Sequence, residues 1–202
     1  MSNQTLHRFT GIFVSFFVIA HLCNHLMAWF GIATHQQVLD ALRVVYRQPL
    51  VEILLIACFT FQVYSGIKLL LKLRKKESLS TYEKLQKWSG MVFGLFIVQH
   101  ISATISQRMM FHFDTNFYFA SRVVLEYPFK LYFVPYYFLG IMAFALHLAN
   151  VHQHKMEEIV GAKQARSHFI LILGVFVVMA IIILYIFMGG RYDIIVPPQY
   201  RV

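Results

Sequence analysis

A chain of 202 residues that is 58% hydrophobic and only 13% charged, with a mean hydropathy of +0.60, is excluded from the soluble globular class, where about a quarter of residues are charged. The formal charge of +9 does not indicate nucleic acid, because the basic residues stand at the ends of apolar runs, the pattern that sets membrane topology. Cys23 and Cys58 both lie in apolar segments, have no disulfide or zinc spacing, and read as buried thiols.

A helix needs roughly 20 apolar residues to span the hydrocarbon. Five segments qualify, at about 7–31, 49–73, 86–108, 131–153 and 168–189. The expectation is an all-α polytopic membrane protein, a bundle of five transmembrane helices forming a single domain over 1–202. The first apolar run lacks a small-residue cleavage site and is longer than a signal peptide, so it reads as a helix of the mature protein. After it, the spacing of Val38, Leu39, Leu42 and Val45 predicts an amphipathic helix over 36–46 on the membrane surface. Pro49 opens the second span, where a missing amide hydrogen costs nothing. That span ends in Lys68, Lys72, Arg74, Lys75 and Lys76.

A short polar connection, 77–85, leads to the third span, which ends near Arg108. Residues 109–130 are rich in Phe and Tyr and read as an interfacial segment, since aromatic rings favour the headgroup level. The fourth span holds Pro135, Gly140 and His147, with His152 and His154 at its end. Residues 155–167 read as a polar connection. The fifth span carries no charge and is expected to be a lipid-facing structural helix. The tail, 189–202, leaves the membrane. With the N-terminus and the second and fourth connections on one side, that side collects eleven Lys and Arg residues and the other seven. The positive-inside rule makes the first side cytoplasmic, or matrix in a mitochondrion, with the N-terminus inside and the C-terminus outside. The corresponding membranes are the bacterial inner (cytoplasmic) membrane and the mitochondrial inner membrane.

The ten histidines are the compositional anomaly. Ionisable groups at membrane depth are rare and mark functional sites by default. The first and third spans share a partial repeat. In each, a basic residue stands three positions before a glycine (Arg8 and Gly11, Lys87 and Gly90). In each, nine residues then separate that glycine from a histidine, His21 or His100. Both histidines lie about 14 residues into parallel helices, which at about 1.5 Å per residue places them at one depth. Two neutral imidazoles so placed can ligate a haem iron from opposite faces, and Gly11 and Gly90 would permit close helix approach or packing against a ring edge. The competing reading is a pair of hydrogen-bonded packing residues. His25, one turn beyond His21, is an alternative ligand. Zinc is disfavoured because no carboxylate or thiolate completes a tetrahedral set. His147 reads as a single axial ligand, a hydrogen-bond donor to a quinone, or a satisfied core residue. His7 and Arg8 lie at the inner end of the first helix, where a solvated rim competes with contacts to haem propionates or a quinone. His35, His112 and His168 read as loop or interface residues.

Several fragments in order resemble the five-helix, single-polypeptide cytochrome b anchor of succinate dehydrogenases and quinol:fumarate reductases. They are Leu6-His7 with Gly11 and His21; Gln48-Pro49 leading through Glu52 to Tyr64 and Gly66; Leu85 to Gly90 with His100 and Gln107-Arg108; Asn116-Phe117 with Tyr127-Pro128; and His147-Leu148-Ala149-Asn150. The similarity covers essentially the whole chain. It implies a b haem between His21 and His100, exchange of electrons with a membrane quinone, and docking of a flavoprotein and an iron–sulfur subunit on the basic face. It also matches His147 to a ligand of a second haem. Gln62 stands where that pattern has the partner ligand, and Gln is not a usual ligand of haem iron. The chain itself contains no dinucleotide fingerprint and no iron–sulfur cysteine run, so it is not catalytic alone. The alternative is a stand-alone diverged relative of the same fold, with or without haem, in a sensor, assembly or structural role.

Overall fold

The computed structural model describes residues 3–201; Met1, Ser2 and Val202, which the expected domain over 1–202 includes, lie outside the described residues. Seven α-helices and no strand occur among those described, in the order α1 (Asn3–Met27), α2 (Ile32–Tyr46), α3 (Pro49–Leu73), α4 (Thr81–Phe111), α5 (Phe117–Leu125), α6 (Lys130–Val160) and α7 (Ala162–Phe187). Five of them, α1, α3, α4, α6 and α7, are long and apolar enough to cross a membrane. The protein is an all-α polytopic bundle.

The helix starts follow local chemistry. Gln48 takes the extended conformation that a following proline imposes. Ser80 and Glu83 form a reciprocal capping box at the start of α4, with the Glu83 amide donating to Ser80 Oγ at 3.2 Å and the Ser80 amide to Glu83 Oε2 at 3.1 Å. Asn116 caps α5 by accepting from the amides of Tyr118 and Phe119.

Three expectations are corrected. Residues 155–167 are not a loop: α6 runs to Val160, and the whole joint to α7 is Gly161, whose φ of +81° suits glycine. Lys155, Met156, Glu157 and Glu158 are good helix formers, so the helix continues as its side chains become polar. The fifth span is not wholly lipid-facing either: about a third of it is buried inside the bundle. Phe176, Ala180, Ile183 and Phe187 of α7 are buried with Phe144 and Ala145 of α6 and Phe117 and Val124 of α5 in the main apolar core. Small residues let α7 approach α6, because packing rather than water exclusion joins helices within lipid. Cys23 is exposed on the bundle surface and Cys58 only partly covered.

A smaller core of Val14, Phe59 and Ile97 joins α1, α3 and α4. At Gly140, α6 lies so close to α4 that a Cβ would enter the Phe96 ring. One end of the bundle carries Lys68, Lys72 and the Lys76–Glu83 ion pair. At the opposite end α2, α5 and the C-terminal segment pack together. Arg43 there bridges Asp40 and Asp114 at 3.1 and 2.7 Å, and Asn116 donates to the Tyr200 hydroxyl at 2.9 Å.

Candidate functional site: an imidazole series between α1, α4 and α2

Four histidines come together toward the α2 end of the bundle. His21 and His25 share a face of α1 because residues four apart on a helix are neighbours. His100 of α4 faces His21 with ring centroids 6.1 Å apart and planes at 69°. His25 meets His21 at 4.5 Å between centroids and His35 of α2 at 5.5 Å. Phe17 stacks on His21 and Phe96 on His100, while Phe187 abuts both His25 and His35.

The polar atoms define a direction. Asn24 Nδ2 lies 3.2 Å from His35 Nε2. With the amide donating, His35 Nε2 is an acceptor whose one lone pair is shared with His25 Nδ1–H, which donates to it at 3.3 Å. His25 Nε2 is then left as the acceptor for His21 Nε2–H at 3.1 Å. Each neutral ring supplies one N–H and one lone pair, and the order runs from α1 toward α2. It ends unsatisfied, because His35 Nδ1 and Asn24 Oδ1 are buried without a partner. Beside the series a cavity of about 30 Å³ is lined by Phe17, Ala20, His21, Asn24, Leu39, Leu42 and Tyr46, which is room for a water molecule. Burial holds the His35 ring at about 4, well below the ordinary 6.5, and the nearby His21 and Arg43 act in the same direction against a smaller opposing effect of Asp40.

The His21–His100 pair suits a haem iron in type and separation. An imidazole nitrogen binds a first-row metal at about 2.0–2.1 Å, so two rings on opposite sides of one iron stand on the order of 6 Å apart between centroids, close to the 6.1 Å observed. The phenyl rings of Phe17 and Phe96 give the pair apolar walls. The orientation differs, because His21 Nε2 faces His25 rather than His100, and iron ligation requires that ring to turn.

His147 sits in a different environment. Gln86 Nε2 donates to its Nε2 at 3.0 Å, and its Nδ1 lies 3.3 Å from Ser89 Oγ. Ser89 in turn donates to the Leu85 carbonyl at 2.7 Å, and Asn150 Nδ2 donates to Gln86 Oε1 at 2.9 Å. Gly90 faces this histidine: a Cβ there would stand 3.0 Å from His147 Cε1. Gly11 faces Gln62, whose Oε1 would be 3.5 Å from an added Cβ. Gln62 Nε2 donates to the His7 carbonyl at 2.8 Å, and His7 Nδ1 pairs with Ser65 Oγ at 2.7 Å. Arg8 is exposed. His152 lies against His168 at 3.3 Å, and His154 stacks on Tyr82.

Sequence reasoning missed His35, Asn24 and the Gln86–Ser89–Asn150 network. The signal for His35 was present: it lies one turn before Leu39, on the buried face of α2. Comparison with protein-family models, with curated proteins and with solved structures finds no match.

Proposed function

We propose that this chain is a membrane cytochrome b subunit in which one b haem is ligated by His21 and His100. It exchanges electrons with a membrane quinone and anchors a flavoprotein and an iron–sulfur protein at its basic end, the cytoplasmic or matrix side. The observation that carries the proposal is the 6.1 Å separation of the two rings on separate membrane helices. When bound, the haem supplies one-electron chemistry. The chain positions the imidazoles, walls the pair with Phe17 and Phe96, and keeps bulk water from it. His147 serves as a packing residue in this reading, since both of its nitrogens already have partners. A second haem there would require Gln86 to withdraw.

One observation favours a second reading, a haem-free bundle of the same fold with an assembly, sensor or structural role. His21 Nε2 is already engaged by His25, so the histidines can serve as interhelical hydrogen bonds. A reduced-minus-oxidised spectrum with a pyridine haemochrome assay on the purified chain decides between the two. A b-type spectrum in the wild type, lost in His21→Ala and in His100→Ala, supports the cytochrome. No haem in the wild type after haem supplementation overturns it and leaves the haem-free reading.

A further inference from the structure

Among the described residues, Arg122 of α5 is the only lysine or arginine in the buried class, with 8% of its surface exposed. Its guanidinium lies between the faces of Phe119 and Phe113, at 4.6 and 5.0 Å from their centroids. No carboxylate pairs with it among the described residues, and its Nε is buried without a partner. The nearby Asp114 is taken by Arg43. Two aromatic faces attract a cation, but they offer no oxygen acceptor to the guanidinium N–H donors, and a buried charge without a counter-charge is strongly disfavoured. Its position at the last turn of α5 is only a partial compensation.

Arg122 also lies near the imidazole series. Tyr137 is close enough to act electrostatically on it, and the Tyr137 ring stands 6.3 Å from that of His100. Tyr137 is thus a shared neighbour of the guanidinium and of His100, and Arg122 stands at the end of the bundle that carries α2 and α5.

We propose that Arg122 is an oxyanion-binding residue that takes a carboxylate or a phosphate in the bidentate fashion arginine favours. The two sources of that chemistry at this place are a propionate of the haem and the headgroup phosphate of a lipid. The first source rests on the cytochrome reading; the second does not.

The test compares the purified full-length wild type with Arg122→Gln and Arg122→Lys in detergent. Haem content, haem midpoint potential against pH, and bound phosphorus per chain after extensive washing are measured. With a propionate as ligand, Arg122→Gln keeps the haem spectrum but shifts the potential downward, because an uncompensated carboxylate favours the ferric state. The potential also becomes more steeply pH-dependent as that carboxylate titrates. With a lipid phosphate as ligand, Arg122→Gln loses the phosphorus retained by the wild type and leaves the potential unchanged. A wild type without haem whose phosphorus is lost in Arg122→Gln sinks the cytochrome and keeps the anion site. Wild-type potential, pH dependence and phosphorus in a helical, monodisperse Arg122→Gln overturn the anion site whatever the haem content. If that variant fails to fold, Arg122→Lys decides alone: its ammonium cannot form the fork, so a downward potential shift or a loss of phosphorus supports the site and wild-type values overturn it.

Discussion

The two histidine environments of the bundle differ in how their hydrogen bonds close. Around His147 every polar atom has a complementary partner: an amide for one nitrogen, a hydroxyl for the other, and a backbone carbonyl for that hydroxyl. Around His21 the imidazoles meet mainly one another, and the series ends on two buried atoms without partners. A satisfied polar network rigidifies a membrane interior, whereas a partly satisfied one is costly to keep. The first arrangement is what helix packing requires. The second is more than packing requires, which is why the functional reading belongs there.

Substitution separates the two most sharply. His21→Ala and His100→Ala are expected to abolish haem binding completely in the haemochrome assay. His147→Leu is expected to retain haem and to lose stability instead. It strands the Gln86 amide, whereas Ser89 keeps its bond to the Leu85 carbonyl, and leaving a buried polar group unpaired costs about 1–3 kcal/mol. Denaturant unfolding followed by helical circular dichroism reads the second effect. Haem loss in His147→Leu with unchanged stability would reverse the assignment of the two sites.

The open end of the series also predicts a pH effect on the surface helix α2. His35 titrates at about 4 in the folded chain against an ordinary 6.5. Between those values the unfolded segment binds more protons than the folded one, so the docking of α2 weakens as pH falls through this window and changes little below it. Amide exchange in α2 should rise across that interval. In His35→Gln the dependence should disappear; a profile that persists unchanged would assign it to another group.

How much of this was legible follows from the kind of signal each feature leaves. The five spans are runs of apolar residues and can be counted directly. The surface helix α2 shows in the spacing of Val38, Leu39, Leu42 and Val45, but extending that face back one turn to reach His35 needs Gly31 to be recognised as the break. The joint at Gly161 is hidden because a helix leaving the membrane becomes as charged as a loop. The facing pair His21 and His100 shows through the repeated spacing. The partners of Gly11 and Gly90 do not, because they come from α3 and α6, and the packing of helices distant in sequence has no local signature. Arg122 shows only as a basic residue in an aromatic stretch; its enclosure by Phe113 and Phe119 requires α5 to fold back.

The two glycines of that repeat allow the smallest and most specific comparison. They occupy equivalent places in sequence, yet Gly11 faces the Gln62 amide at ordinary contact distance while Gly90 faces the His147 ring at 3.0 Å. In a helix interior, replacing glycine by alanine gains about 0.8–1.0 kcal/mol in backbone preference. Gly11→Ala should keep most of that gain. Gly90→Ala should forfeit it, because the added methyl must push His147, and His147 is held by Gln86 on one side and Ser89 on the other. Combining Gly90→Ala with Ser89→Ala frees one side of the ring. If the imidazole network sets the difference, the pair should be less destabilised than the sum of its single variants. Additivity would mean that the close contact at Gly90 is relieved without moving His147, and that the network around it is looser than its distances imply.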